Sequence, residues 1–539
     1  MKGDLIRSYA APAGLAGALS LVLGLMHVLP GVAFWDAGEM QTVAPVFGTA
    51  HPTGYPAYVI LGWIASILLQ PVGEPALRMN VLSAILLGTA TALTTLLCIR
   101  LSGRPFLGFV GGLVFAITPE AWYLATHADA HAFHACLLAL MLLLLVVWGD
   151  RWRAGAPRTD RWLVAAAAIF GVSLGNQALT VLLVPGIALY VLVTDRRILR
   201  RPLFVLGCLA AAAGTAALLY LQLPLAVALD TPLIYARPGT LGGFLYVVLG
   251  QQFGGSLGSP FAHPAATVGA MVDAVTAQLG WLALAVPFAA VATAFRRPRY
   301  FLLTAPAFAI TLLFAAVYDN AEIARYHLGP VLIAVTWLIV AAAWVVDAVA
   351  EPAAEPETAA EPEPAAELDG GAGVPVPPPD GRTGRPAGSA RRRVAAGLVL
   401  AGVVAVLLAP ALARLPVAEE RARSVDYLDA RSWLDGAFAV MDPNATVISW
   451  WAYSTPLWYG TIVQGRRPDL RIVDDRTRLD QDLGEVSDVI RADLGKRPVY
   501  VLRQGQQIRE LEDEFVLELV MADPGAPIYR VVGTRAAGE

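Results

Sequence analysis

Charge is scarce in this chain. Asp, Glu, Lys and Arg make up only 15% of its 539 residues, too little to clothe a soluble enzyme of that length in water. Cysteine is almost missing. Cys98, Cys136 and Cys208 each fall inside an apolar run without metal-ligand spacing, so a disulfide framework and a zinc site are excluded and the three read as small buried hydrophobes. There is no basic patch interleaved with aromatics, which removes nucleic acid as a partner. The C-terminal region also lacks a glycine-rich phosphate loop and a nucleophile elbow. What the chain has in quantity is hydrocarbon. A hydrophobic content of 57% and a mean hydropathy of +0.59 define a mainly α, multispanning membrane protein.

Eleven apolar runs of spanning or nearly spanning length occupy residues 13–33, 79–99, 104–118, 133–149, 162–174, 177–194, 202–223, 281–295, 300–317, 328–349 and 394–412. The first is read as a retained helix rather than a signal peptide, because it is long, lacks a small-x-small cleavage site and is followed by further spans. Residues 55–70 are a further apolar segment, and charge decides its course. If it does not cross, the arginines at 100/104, 151/153/158/161, 196/197/200/201, 296/297/299 and 391/392/393 share the side of the N-terminus. Only Arg78, Arg237 and Arg325 then remain in the loops opposite. The segment is therefore expected to be an interfacial or re-entrant helix, begun by Pro56 in its first turn.

The same charge bias places the N-terminus in the cytoplasm and the polar loops at 34–56, 126–134, 175–177, 224–280 and 318–327 outside the plasma membrane. The expected organisation is a membrane domain at 1–349, a disordered cytoplasmic Ala/Pro/Glu linker at 350–393, a last span at 394–412 and an extracytoplasmic α/β domain at 413–539. An amphipathic helix near 417–440 and β-like runs at 446–450, 470–474 and 498–502 suggest that last unit. Its aromatics Trp450, Trp451, Tyr453, Trp458 and Tyr459 can form a carbohydrate-stacking wall, but strand-end aromatics more often pack in a core, and that reading is favoured.

Phe34 to Pro56, FWDAGEMQTVAPVFGTAHPTGYP, places ionisable groups directly after the first span, where they are costly unless solvated or functional. Asp36 and Glu39, three apart, share a face if a helix begins after Trp35. Such a pair can hold a divalent cation, or act as general base and positioning partner. The competing reading is a solvated loop with Asp36 as a helix cap. Gly38 is expected to allow a sharp turn or close approach by a ligand. His127, His131 and His134 include an i, i+4 pair, but without an H-E-x-x-H context they read as hydrogen-bonded helix-end histidines.

The string WDAGE followed by GTAHPTGYPAY resembles the D-S-G-E...G-x-A-H-P-P-G-Y-P motif of a family of multispanning proteins that includes a eukaryotic endoplasmic-reticulum protein O-mannosyltransferase. ADAHAFHA at 128–135, GVSLGNQ at 171–177 and STPLWYGTIVQGRRPDLRIVDD at 454–475 resemble later segments of that family. Ala37, Thr53, Asp129 and Gln177 depart from its usual serine, proline, glutamate and histidine. The resemblance implies a GT-C architecture and an inverting transfer, at the extracytoplasmic face, of a sugar from a polyprenyl-phosphate-linked donor in the membrane lipid to a hydroxyl of a protein Ser/Thr or of an envelope glycan or lipid. Mannose follows from the characterised relative.

Under that resemblance Asp36 is the base, and Glu39 its positioning partner or a ligand for a divalent cation, the one cofactor the residues allow. His51, Tyr55, Asp129 and Tyr326 become candidate substrate contacts. Arg78, Arg237 and Arg325 are the candidates to meet the leaving phosphate, Arg325 first because it lies in YDNAEIARYH beside Asp319, Glu322, Tyr326 and His327; the competing readings are a snorkelling Arg325 or its ion pair with Glu322, and an interfacial anchor for Arg78. A transporter or flippase, or a non-catalytic envelope assembly protein, is the alternative. No internal repeat of broken helices supports the transporter.

Overall fold

The computed structural model describes residues 2–320, 322–350 and 387–535, so most of the expected linker at 350–393 lies outside the described residues. The chain opens with α1 (Lys2–Met26), the short α2 (Trp35–Val43) and α3 (Pro56–Leu68), then α4 (Pro75–Ser102), α5 (Pro105–Ala116), α6 (Pro119–Leu124), α7 (Ala130–Arg153), α8 (Asp160–Asn176) and α9 (Val184–Thr194). It continues through α10 (Pro202–Tyr220), α11 (Gln222–Ala228), α12 (Leu241–Val248), α13 (Pro264–Leu279), α14 (Val286–Arg296), α15 (Pro298–Val317), α16 (Leu328–Ala350) and α17 (Ala387–Ala413). Prolines open many of these helices, because a ring that fixes φ and lacks an N–H costs nothing in the first turn.

The apolar runs fall on helices, although the first, expected over 13–33, leaves its helix at Met26, and among the described residues eight helical segments are long and apolar enough to cross a bilayer. The helix over 55–70 has 13 residues, about 20 Å at ~1.5 Å per residue, short of a hydrocarbon core of about 30 Å. It accordingly leaves Ile64, Ile67 and Leu68 exposed on one side. Arg100 pairs with Asp150, and Arg104 and Arg296 both pair with Asp347. Those loops therefore share one face of the bundle. α1 packs against α4 through facing glycines, where a Cβ on Gly17 would lie 2.7 Å from the Gly88 carbonyl oxygen.

α17 begins at Ala387 rather than 394 and leads to α18 (Leu415–Arg423). The helix expected near 417–440 is interrupted, and resumes as α19 (Arg431–Val440). The reason is tertiary. Phe34 N–H donates to the Leu428 carbonyl (2.9 Å) and Ala430 N–H to that of Val32 (3.0 Å), and Ala33 bridges Asp429 in a short antiparallel ladder. These bonds outbid the helical ones across 424–430.

The three expected strands form β1 (Thr446–Ser449), β2 (Arg471–Val473) and β3 (Val499–Leu502), paired in parallel as β2-β1-β3. β1 and β3 are buried at every position, as central parallel strands must be. β4 (Phe515–Met521) and β5 (Ile528–Thr534) extend the sheet as an antiparallel hairpin that the sequence reading missed. Its signal was the Pro-Gly turn at 524–525 between apolar runs. α20 (Trp451–Trp458) follows β1 directly.

This small domain is clamped to the bundle. Ala76 N–H donates to the Tyr459 hydroxyl (3.0 Å), which itself donates to Glu74 (3.3 Å). Arg421 of α18 lies 3.2 Å from the buried Glu120 of α6 and stacks over Tyr123 at 3.5 Å. Arg421→Ala leaves a buried carboxylate without its partner, so a loss of about 3 kcal/mol is expected. Thermal unfolding of the detergent-solubilised chain, with faster proteolytic release of the C-terminal domain, checks it; an unchanged midpoint refutes the clamp.

Candidate active site

Two buried amides shape the stretch after α1. Gln41 accepts from Ala33 N–H (2.8 Å) and donates to Asn80 Oδ1 (2.8 Å) and the Gly31 carbonyl (3.2 Å). Asn80 in turn donates to the Leu29 carbonyl (2.7 Å) and accepts from Ala128 N–H (2.9 Å). An unmade hydrogen bond in such a place costs about 1–3 kcal/mol, so the knot is strongly specified. It holds 29–33 against 126–129 and brings Asp36 and Asp129 to one wall.

Asp36 and Glu39 both lie on α2 but face different neighbours. Asp36 Oδ2 meets Arg325 Nη1 at 2.5 Å. Glu39 is 1% exposed and is consumed by His51, taking its backbone N–H on Oε1 (2.9 Å) and its Nδ1 on Oε2. Each Glu39 oxygen thus already accepts a bond from His51. Among the described residues no three His, Cys, Asp or Glu side chains converge where an ion could be held. Gly38 serves the sharp turn into α2 and the packing above it, since a Cβ there would collide with the Ala33 carbonyl oxygen and lie 2.8 Å from Thr455 Oγ1 of α20.

Arg325 is buried and also lies 3.6 Å from Asp129 Oδ2. Asp129 caps α7 by accepting His131 N–H (2.6 Å) and pairs with His131 Nδ1 (2.9 Å). Burial works against the charge on both aspartates, yet Arg325 and His51 hold the Asp36 carboxyl below its ordinary range, and His131 and Arg325 do the same for Asp129. His51 is the mirror case: burial opposes its protonation, but Glu39 and Asp36 prevail and raise it. Glu322 is pushed up to about 7 by burial despite Arg325, and His127 down to about 4 by burial.

A cavity of about 660 Å³ separates this wall from the C-terminal domain. Asp36, His51, Asp129, Glu322 and Arg325 line one side; Trp450, Trp451, Asp474, Asp475 and Arg476 line the other; Tyr235, Tyr246 and Phe253 of the long loop close it. Trp450 and Asp474 come directly after β1 and β2, at the carboxyl ends of parallel strands where open α/β sheets receive ligands. Asp474 is 1% exposed and its Oδ2, like Trp451 Nε1, Arg476 Nε and Arg325 Nε, has no partner among the described residues. A second cavity of about 300 Å³ has a mixed lining that includes Tyr55, Gln177, Leu257, Phe314 and Tyr326. His51, Phe253, Asn320 and Arg325 line both cavities and so form the partition.

The structure thus brings together Asp36, His51, Asp129 and Arg325, with Tyr55 (hydroxyl 3.4 Å from His51 Nε2) and Tyr326 on the second cavity. Arg78 and Arg237 stand elsewhere. Arg78 donates to the carbonyls of Gly73 (2.6 Å) and Ser66 (2.8 Å), pinning the end of α3 to the start of α4. Arg237 makes a 3.7 Å surface pair with Asp482, an interaction of little energetic worth. The helix-end histidines have separate partners: His131 reaches Gln177 (3.0 Å) and His134 reaches Ser173 (3.4 Å). The aromatic group divides. Tyr453, Trp458 and Tyr459 are core, while Trp450 and Trp451 face the cavity. Tyr235, Tyr246 and Phe253 had no sequence signal, whereas Asp474 and Asp475 end the segment 454–475 singled out above.

Residues 36–199 match the model of the "Protein O-mannosyl-transferase TMEM260 N-terminal domain" family. The chain is 29% identical over 255 residues to the Mus musculus protein O-mannosyl-transferase TMEM260, covering 47% of this chain and 35% of that protein. It is 26% identical over 181 residues to the Dictyostelium discoideum counterpart, covering 32% and 22%. The chain therefore spans about a third or less of the length of these curated relatives. Among solved structures it superposes on ArnT from Cupriavidus metallidurans bound to undecaprenyl phosphate, with TM-score 0.56, 15% identity and 98% of each chain covered. The archaeal oligosaccharyltransferase AglB from Archaeoglobus fulgidus, in complex with an inhibitory peptide and a dolichol-phosphate, aligns with TM-score 0.51 at 14% identity, covering 92% of this chain and 69% of that one. The fold is GT-C, in a multi-pass membrane protein.

The Glu39–His51 latch has a pH signature. Because the folded state raises His51 above its ordinary 6.5, the latch contributes fully below pH 6.5 and its contribution is lost as pH rises through the higher folded value. Glu39→Ala is expected to lower the melting temperature most at or below pH 6.5 and to lose that alkaline-side dependence. Glu39→Gln, which keeps an acceptor for His51 N–H, is expected to recover part of the loss; identical pH–stability curves for wild type and Glu39→Ala refute the latch.

Proposed function

We propose that the chain is an inverting membrane glycosyltransferase that moves a sugar, mannose by analogy with its named relatives, from a polyprenyl-phosphate-linked donor to an acceptor hydroxyl of a protein or envelope glycan. The observation that carries this reading is the Asp36–Arg325 pair, in which Arg325 stands in the partition between two cavities of different character and Asp36 lines the larger. The smaller cavity suits the donor, with its lipid against Leu257 and Phe314 and its phosphate against Arg325 and Tyr326. The larger one suits the acceptor, which Trp450 and Trp451 offer aromatic faces to stack on.

In this scheme the sugar reaches across the partition. The acceptor oxygen attacks the anomeric carbon, the bond from that carbon to the phosphate oxygen breaks, and the lipid phosphate departs with the electron pair on the opposite side. Asp36 accepts the acceptor proton. Arrival of the phosphate draws the Arg325 guanidinium away from Asp36, and the carboxylate that Arg325 had held at low basicity becomes a better base. Charge on the departing phosphate is assigned to Arg325. Glu39 acts through His51 as a positioning residue. The charge bias of the loops supports placing the site at the extracytoplasmic face with the N-terminus in the cytoplasm. Nothing favours the transporter reading: of the buried acids among the described residues, Glu39, Glu120, Asp129 and Asp474 lie at the end that carries the site and Asp195 at the turn after α9, so none sits midway along a spanning helix.

Asp36→Asn is expected to lower transfer from polyprenyl-phosphate mannose by at least about 10²-fold while leaving donor binding intact, measured with radiolabelled donor and by thermal shift. Near-normal turnover in that variant moves the base elsewhere. Absence of transfer by the wild type with every polyprenyl-phosphate sugar tried overturns the enzyme reading. Trp451→Ala is expected to raise the acceptor KM roughly tenfold, a loss of about 1.4 kcal/mol, with the donor KM unchanged; a rise in the donor KM alone reverses the assignment of the two cavities.

A further inference from the structure

α7 is 24 residues long, so its far end lies about 36 Å from Asp129 at ~1.5 Å per residue, on the opposite face of the bundle. There a recess of about 110 Å³ gathers Arg100, Arg153, Arg296, Arg297 and Arg299 around a single carboxylate, Asp150. Those side chains come from α4, α7, α14, α15 and the turn between the last two. Asp150 is shared by Arg100 (2.8 Å) and Arg153. Arg296 turns to Asp347 (3.0 Å), and Arg297 spends two donors on the Leu101 carbonyl at the end of α4 (3.1 and 2.7 Å). Arg299 makes no ion pair or hydrogen bond with any described residue, and its Nε is buried without a partner. Pro298 to Tyr300, the first residues of α15, also line the recess, so the positive end of that helix adds to the field.

Topology alone accounts for arginines on this face. It does not account for their convergence in one recess with a single acid, or for a buried guanidinium nitrogen left unpaired. Five guanidinium groups held by only two carboxylates, Asp150 within the recess and Asp347 beyond it, leave a positive excess that matches the charge and the bidentate geometry of a phosphate group. Phe295 and Leu192, exposed on the neighbouring α14 and α9, offer an apolar surface beside it. We propose that the recess binds the phosphate of an anionic phospholipid headgroup, the acyl chains lying against α9 and α14. This site is independent of the transfer reaction.

The test uses the full chain in nanodiscs, with thermal unfolding read as phosphatidylglycerol replaces phosphatidylcholine. Wild type is expected to rise in melting temperature with phosphatidylglycerol. Arg299→Gln, which removes no contact seen in the structure, is expected to match wild type in phosphatidylcholine but to need at least fivefold more phosphatidylglycerol for the same rise. Arg100→Gln provides a second variant on another helix with the same expected shift. Equal melting temperatures in the two lipids, or a wild-type response in both variants, overturns the proposal. A rise of the same size from inorganic phosphate in pure phosphatidylcholine overturns the lipid assignment in favour of free phosphate.

Discussion

A guanidinium group in a poorly solvated place must be matched by anions, and that requirement organises one end of this molecule. Arg325 is buried between Asp36 and Asp129, and breaking such a group's pairing costs several kcal/mol, on the order of 3–5. The Gln41–Asn80 knot, the cap at the start of α7 and the turn before α16 all serve to bring these three side chains together. The arrangement is incomplete in one respect, since Arg325 Nε has no partner among the described residues. A further anion is the natural completion. The charges inside the site therefore balance only loosely, which is what a site must do if a phosphate is to exchange places with a carboxylate.

The cover over this site is as instructive as its floor. The long loop contributes Tyr235 and Tyr246, over which Arg476 of the C-terminal domain sits at 5.4 and 4.8 Å, and Ala236 N–H donates to Asp480 (3.0 Å). Loop and domain thus hold each other above α2. The wall they present is aromatic and polar, and several of its buried polar atoms are unpaired. Unpaired groups of this kind are expensive unless water or substrate completes them. A binding surface, unlike a packing surface, tolerates that cost.

The sequence made the bundle legible because hydrocarbon must be long and continuous to cross a membrane, and the parallel strands legible because central strands are apolar throughout. Charge asymmetry set the segment at 55–70 apart from the spans, and its helix of 13 residues is among the shorter apolar helices. The site was legible in part. Asp36, His51, Asp129 and Arg325 stood out as rare ionisable groups near span ends. Glu39 stood out equally, yet its spacing from Asp36 said nothing of the His51 ring that occupies it. Arg78 and Arg237 were chosen for scarcity on one face, and scarcity cannot distinguish a guanidinium aimed at a cavity from one tying off carbonyls. The break at 424–430 and the aromatic wall from 235 to 253 depend on contacts between distant segments, which local pattern does not contain.

Asp36 and Arg325 are 289 positions apart, and that separation has a consequence for how the protein is made. A chain emerging from the ribosome lays down the acidic wall, including the amide knot, well before the arginine has been synthesised. The covering domain comes later still. During that interval Asp36 and Asp129 lack Arg325, and the site has neither its charge balance nor the wall that the C-terminal domain supplies. The Asp36–Arg325 pair can form only once synthesis has passed residue 325, so a chain interrupted before that point carries the acids without the guanidinium that offsets them.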